Sequence, residues 1–79
     1  MPTVTVLHFA VLRERRGVGQ EAQEVEAGAT VQQLYDRLFP AGPQGRLPVG
    51  YAVNQSYVGG EHVLQEGDEV AFIPPVGGG

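Results

Sequence analysis

Residues 30–39, TVQQLYDRLF, read as the one long helix of the chain. Thr30 offers an N-cap oxygen, and Gln33 three positions later completes a capping box. Each side chain then satisfies a backbone donor that the first helical turn leaves orphaned. Val31, Leu34, Tyr35 and Leu38 fall at i, i+3, i+4 and i+7, a single apolar stripe. Pro40 and Gly42 end the pattern. One helix with one apolar stripe covers one face of one sheet, so the flanking segments must supply that sheet.

They do so on both sides. Residues 3–9 (TVTVLHF) are β-branched and partly alternating, with Val4 and Val6 on one face and Thr3 and Thr5 on the other. Phe9 continues the threonine face if the strand stays regular. Residues 10–16 (AVLRERR) are good helix formers that stop at Gly17, and residues 23–26 (QEVE) form a weak second strand. Beyond the long helix, residues 40–48 (PAGPQGRLP) are a loop carrying three of the six prolines, too short to separate two domains. A strand over 49–54 (VGYAVN), a turn at Asn54-Gln55-Ser56, a short return at Tyr57-Val58, a turn at Glu66-Gly67-Asp68 and a last strand over 69–73 (EVAFI) complete the chain. Hairpins flanking one main helix give an α+β domain with a mixed sheet. Its first and last strands pair in parallel at the centre, as in the β-grasp, ubiquitin-like arrangement. The helix-covered face takes Val4, Val6, Val70 and Phe72. The opposite face carries Phe9 and Ile73 among polar neighbours. Residues 1–79 make one domain, with a globular body over 1–73 and an extended, flexible tail over 74–79.

Composition narrows the chemistry. The chain has 79 residues and a formal charge of −4. Arg13, Arg15, Arg16, Arg37 and Arg46 are its only fixed cations, and it has neither lysine nor cysteine. Disulfides, thiolate metal sites and a cysteine nucleophile are excluded. The acidic balance argues against nucleic acid, and no apolar run approaches the roughly 20 residues of a membrane span. The N-terminus lacks the layout of a secretory signal, so a soluble cytoplasmic domain is expected. In the body, His8 and His62 have no second ligand at metal spacing, and His8 reads as a strand residue. Ser56 lacks the elbow of a nucleophile, and Gly59-Gly60 lacks the Lys-Ser/Thr of a phosphate loop. Asp68-Glu69 read as turn residues on a solvated face. No metal site is expected, and nothing in the body reads as catalytic.

The last residues differ. Pro74 and Pro75 directly follow a strand, cannot donate to its ladder and favour an extended path. Val76, Gly77, Gly78 and Gly79 follow them. Six residues at about 3.3 Å each reach roughly 20 Å, and glycines offer no side chain to obstruct a narrow channel. Such a segment is either a frayed terminus or a working arm with the carboxylate of Gly79 at its tip. A carboxylate is a poor acyl donor until ATP converts it to an acyl-adenylate. A sulfur nucleophile can then displace AMP to leave a thiocarboxylate. With no cysteine, any sulfur carried must sit on that carbonyl. With no lysine, no side-chain amine of the chain can capture the activated terminus.

Three segments give the chain a likeness: Phe9-Ala10 with Leu12-Arg13-Glu14, Ala52-Val53-Asn54-Gln55, and residues 67–79, GDEVAFIPPVGGG. On these it resembles the ubiquitin-like sulfur carriers of the MoaD/ThiS type, closest to the small subunits of molybdopterin synthase. The family's terminal Gly-Gly falls on Gly78-Gly79. The resemblance implies a β-grasp fold and a subunit that is not catalytic alone. It implies that an E1-like adenylating enzyme of the MoeB type, using ATP and magnesium, adenylates Gly79, and that a sulfur donor protein converts it to the thiocarboxylate. The tail then enters a large catalytic subunit of the MoaE type, in a heterotetramer of two small and two large subunits. There sulfur passes to cyclic pyranopterin monophosphate in molybdenum cofactor biosynthesis. No cofactor is implied for the chain itself.

The resemblance also implies that Phe9, Tyr57 and Ile73 dock the partner, where strand parity has already put Phe9 and Ile73 on the uncovered face; the alternative is that they pack under loops. Arg13 either pairs with an acid of the partner or is simply solvated. Other readings remain at this level: sulfur carriage for thiamine thiazole, tRNA thiolation or cysteine synthesis, a ubiquitin-like protein modifier, and an interaction module with an idle tail.

Overall fold

A computed structural model describes residues 1–41 and 47–75. The loop residues 42–46, including Gly42 and Arg46, and the tail residues Val76, Gly77, Gly78 and Gly79 lie outside the described residues. The elements are β1 (Thr3–His8), α1 (Ala10–Arg16), β2 (Gln20–Glu24), α2 (Val31–Leu38), β3 (Gly50–Val53), β4 (Ser56–Val58) and β5 (Glu69–Ile73).

Helix α2 forms as its sequence predicts. The Gln33 N–H donates to Thr30 Oγ1 at 3.2 Å and the Thr30 N–H donates to Gln33 Oε1 at 2.9 Å, the full capping box. Val31, Leu34, Tyr35 and Leu38 are its buried residues. The sheet order is β2-β1-β5-β3-β4, with β1 and β5 parallel at the centre and the other pairs antiparallel. This is the mixed β-grasp sheet, covered on one face by α2.

Val4, Val6, Val70 and Phe72 are fully buried beneath the helix, as strand parity requires. Phe72 is the hub of this core, with the rings of Tyr35, Tyr51, Phe39 and His8 at centroid distances between 5.1 and 6.3 Å. The Tyr35 hydroxyl donates to the Leu47 carbonyl at 2.6 Å and so ties the chain that follows the loop to the helix.

Three local expectations are corrected. β1 ends at His8, because Phe9 takes the N-cap position of α1 and Ala10 has φ +50°; Phe9 is therefore not a strand residue. β2 begins at Gln20, earlier than the 23–26 reading, because pairing sets its register (Leu7 opposite Gln20, Thr3 opposite Glu24) and its polar sequence carries no apolar alternation to mark it. Asp68 is not solvated but 8% exposed. Its carboxylate accepts from Asn54 Nδ2 at 2.9 Å and from the Gln65 N–H at 2.8 Å. Asn54 in turn accepts from the Glu69 N–H at 3.0 Å. Asn54 and Gln55, at φ +52° and +70°, form the two-residue turn between β3 and β4. The Ala52–Gln55 and Gly67-Asp68 motifs thus meet in one hydrogen-bonded lock at the start of β5.

Candidate functional site

Parallel pairing of β1 with β5 fixes where the tail leaves. Both strands run toward the same end of the sheet, with His8 opposite Phe72 as the last registered pair. Phe9 and Ile73 each lie one residue beyond it, so the start of α1 sits beside the point where β5 passes into Pro74 and Pro75. Ile73 and Pro74 are half-buried, and Pro75 is exposed. Both prolines are where the sequence placed them, directly after the strand, where their missing N–H groups close the ladder. The predicted tail residues Val76, Gly77, Gly78 and Gly79 are outside the described residues.

The uncovered face of the sheet is assembled by register. Leu7, Ala71, Ala52 and Tyr57 align across β1, β5, β3 and β4 as one row. Ile73 and Gly50 pair in the next row toward the tail. A Cβ on Gly50 would lie 3.9 Å from Ile73 Cβ and 4.0 Å from Tyr57 Cε1, so these two side chains flank the same position on the open face. Tyr57 is 80% exposed and Phe9 46%. Both are large apolar groups left open to solvent near the point where β5 passes into the prolines. The sequence singled out Phe9, Tyr57 and Ile73, and the fold brings all three to the tail-exit end. It did not single out Leu7, Ala52 or Gly50, whose shared row exists only through strand register. Val11, within α1, and Val18, just after it, are further exposed apolar residues.

Arg13 is exposed on α1. Its guanidinium stem lies along Gly19, where a Cβ would be 3.3 Å from Nε. Among the described residues no carboxylate is within ion-pair distance of it. Arg16, on the same helix, is different. Its Nε donates to Glu21 Oε2 at 2.8 Å and its Nη2 to Glu21 Oε1 at 2.7 Å. Arg16 chiefly, and then His8 and Gln23, hold the Glu21 carboxyl down at about 2 against the opposing effect of burial. The hydrogen bond from Arg16 to Glu21, with their mutual attraction, raises the arginine in turn.

His8 Nε2 lies 2.6 Å from Glu21 Oε2. This carboxylate partner was not legible in the sequence, because the twelve intervening residues are folded back by the β1–β2 pairing.

Two concave surfaces among the described residues are lined from β1, β2, α2 and the segment between β2 and α2. The larger, about 410 Å³ and open, is lined by Thr3, Ala22, Gln23, Glu24 and Arg37 at the opposite end of β1. Among the described residues no group of three or more His, Asp or Glu converges as a metal site. No helix among them is long and apolar enough to cross a membrane.

A family model described as the ThiS family matches residues 6–79. The molybdopterin synthase sulfur carrier subunit of Escherichia coli is 45% identical over 84 aligned residues, spanning 96% of this chain and 99% of that one. The subunit of the same name from Mycobacterium tuberculosis is 42% identical over the whole of both chains. Among solved structures, the small archaeal modifier protein 1 of Haloferax volcanii superposes with a TM-score of 0.81 at 26% identity, covering 96% of this chain and all of that one.

Proposed function

The chain belongs to the ThiS family, and on that footing we propose that it is the sulfur-carrier small subunit of molybdopterin synthase. The observation that carries this reading is the pairing of a Pro-Pro-Val-Gly-Gly-Gly tail with a body whose open face exposes apolar residues at the tail's root. Full-length similarity to sulfur carrier subunits supports the same pathway.

The chemistry belongs to Gly79. An E1-like adenylating enzyme uses ATP and magnesium. The carboxylate oxygen of Gly79 attacks the α-phosphorus, pyrophosphate leaves, and an acyl-adenylate forms. Hydrosulfide supplied by a donor protein then attacks the carbonyl carbon, and AMP departs with the C–O electron pair. The resulting thiocarboxylate is the cargo. The body supplies no catalytic group; it docks Phe9, Tyr57, Ile73 and Arg13 against the large catalytic subunit. Docking converts tail insertion into an intramolecular search, and this proximity is the carrier's contribution. Inside the large subunit, sulfur passes to cyclic pyranopterin monophosphate. The setting is the cytoplasm, without membrane or nucleic acid.

A second reading is favoured by the modifier-protein neighbour: acyl transfer from Gly79 to lysines of other proteins. One experiment separates the two. The chain is incubated with an activating enzyme of demonstrated competence, ATP and a sulfur source, with a lysine-bearing bystander present, and intact masses are measured. Replacement of one oxygen by sulfur at Gly79 is expected. Isopeptide adducts without thiocarboxylate support the modifier, and an unchanged mass refutes both.

A further inference from the structure

Helix α1 carries Arg13 and is entered through Phe9, so the docking surface is only as well defined as this helix. By itself α1 is poorly supported. Seven residues are too few for a stable isolated helix. Leu12 is its only buried residue, Phe9 at the N-cap makes no side-chain cap hydrogen bond, and Ala10 starts it in the left-handed region. Gly17 caps its C-terminus through a bond from the Gly17 N–H to the Arg13 carbonyl, which ties the helix to itself and not to the sheet.

Besides Leu12, which is fully buried in the core, what ties it to the sheet is Glu21. This carboxylate, on the helix-covered side of β2 opposite Val6, receives four donors. Arg16 grips it side-on from α1, His8 Nε2 reaches it at 2.6 Å from β1, and Gln23 Nε2 reaches it at 2.6 Å along β2. Charge-assisted, two-pronged contacts of this kind are the strong and directional ones. The His8 side chain is fully buried, its ring edge-on to Phe39 at 5.6 Å and beside Phe72 at 6.3 Å. His8 Nδ1 has no partner among the described residues. The ring is thus held on the polar side by Glu21 alone. A continuous line therefore runs from the core, through His8 and Glu21, to Arg16 and α1. His8 is the residue immediately before Phe9, and Phe72 the residue immediately before Ile73.

We infer that Glu21 is a positioning residue for partner docking: the His8–Glu21–Arg16 clamp holds α1, with Phe9 and Arg13, in register with Ile73 at the root of the tail. This rests on the docking role given to those residues above. A partner that binds both α1 and the sheet then meets one rigid surface, and the ordering cost of binding is already met in the free chain.

The test uses the full chain and the purified large subunit. Glu21→Gln keeps the shape and removes the charge; Arg16→Met breaks the clamp from the other side and leaves Glu21 with His8. For both variants we expect affinity for the large subunit to weaken about tenfold, as for loss of one strong preorganising contact. The apparent KM for carrier in the coupled reaction should rise by the same factor with kcat unchanged. Amide hydrogen exchange should accelerate in α1 by a clearly larger factor than in the β1–β5 amides, whose exchange follows only the change in global stability, and the double variant should lose no more than either single one. Unchanged affinity in variants whose α1 exchange has accelerated refutes the positioning role. Acceleration by the same factor in α1 and across the whole sheet assigns Glu21 to global stability alone and also refutes it. If the unsubstituted chain fails to bind, the proposed function falls and the docking inference with it, and exchange alone then decides whether Glu21 holds α1.

Discussion

Replacing Ile73 by aspartate separates docking from folding. Ile73 ends β5, is half-buried, and shares the open face with Tyr57 across Gly50. Losing a half-buried isoleucine and placing a poor strand former at a strand end costs about 1–2 kcal/mol of folding free energy. A domain of this length is stable by roughly 4–12 kcal/mol, so Ile73→Asp remains folded. On the partner the cost is larger. The apolar contact is lost and a carboxylate is desolvated against an apolar surface, for a loss of at least about 2 kcal/mol, or a roughly 30-fold weaker Kd. Calorimetric titration against the large subunit measures the affinity, and circular dichroism with a urea melt measures the fold. The conservative Ile73→Val is the control and should bind within about threefold of the original chain, since most of the apolar area is kept. A folded Ile73→Asp that binds as tightly as this control would refute the placement of Ile73 in the docking surface.

Deleting Gly79 should abolish sulfur transfer and leave both the melting temperature and binding to the large subunit close to their original values, because the body and its open face are untouched; transfer at the normal rate contradicts the tail mechanism. Glu21 makes a prediction about pH. Its folded value is lowered from 4.5 to about 2, so the unfolded chain takes up the proton first on acidification. The stabilisation is therefore complete above about 4.5 and disappears as pH falls to about 2. With allowance for solvent screening, Glu21→Gln should be less stable by roughly 1–2 kcal/mol at neutral pH. That gap should close over the acidic window, and a gap that stays constant down to pH about 2 contradicts the assignment.

Much of the architecture was legible because it rests on local, periodic signals. The capping box and stripe of α2 follow from residues within one or two turns of each other. The burial of Val4, Val6, Val70 and Phe72 follows from the two-residue period of a strand. Phe9 shows where such reasoning stops: one backbone turn at Ala10 ended the strand that parity had carried through it. Asp68 shows it again, since its burial depends on Asn54 arriving from another hairpin.

The chemistry proposed for the tail rests on the sequence alone, and the sequence also marked the core residues of β1, β5 and α2. A chain without cysteine or lysine offers no thiol to hold a carried sulfur and no side-chain amine of its own to be acylated. The tertiary structure decided which groups face one another. Strand register made one row of Leu7, Ala71, Ala52 and Tyr57, and the β1–β2 pairing brought Glu21 to His8 and Arg16. Local pattern determines which side of an element is apolar. Only the long-range pairing of backbones determines which element lies beside it, and a docking surface or a clamp is made of such neighbours.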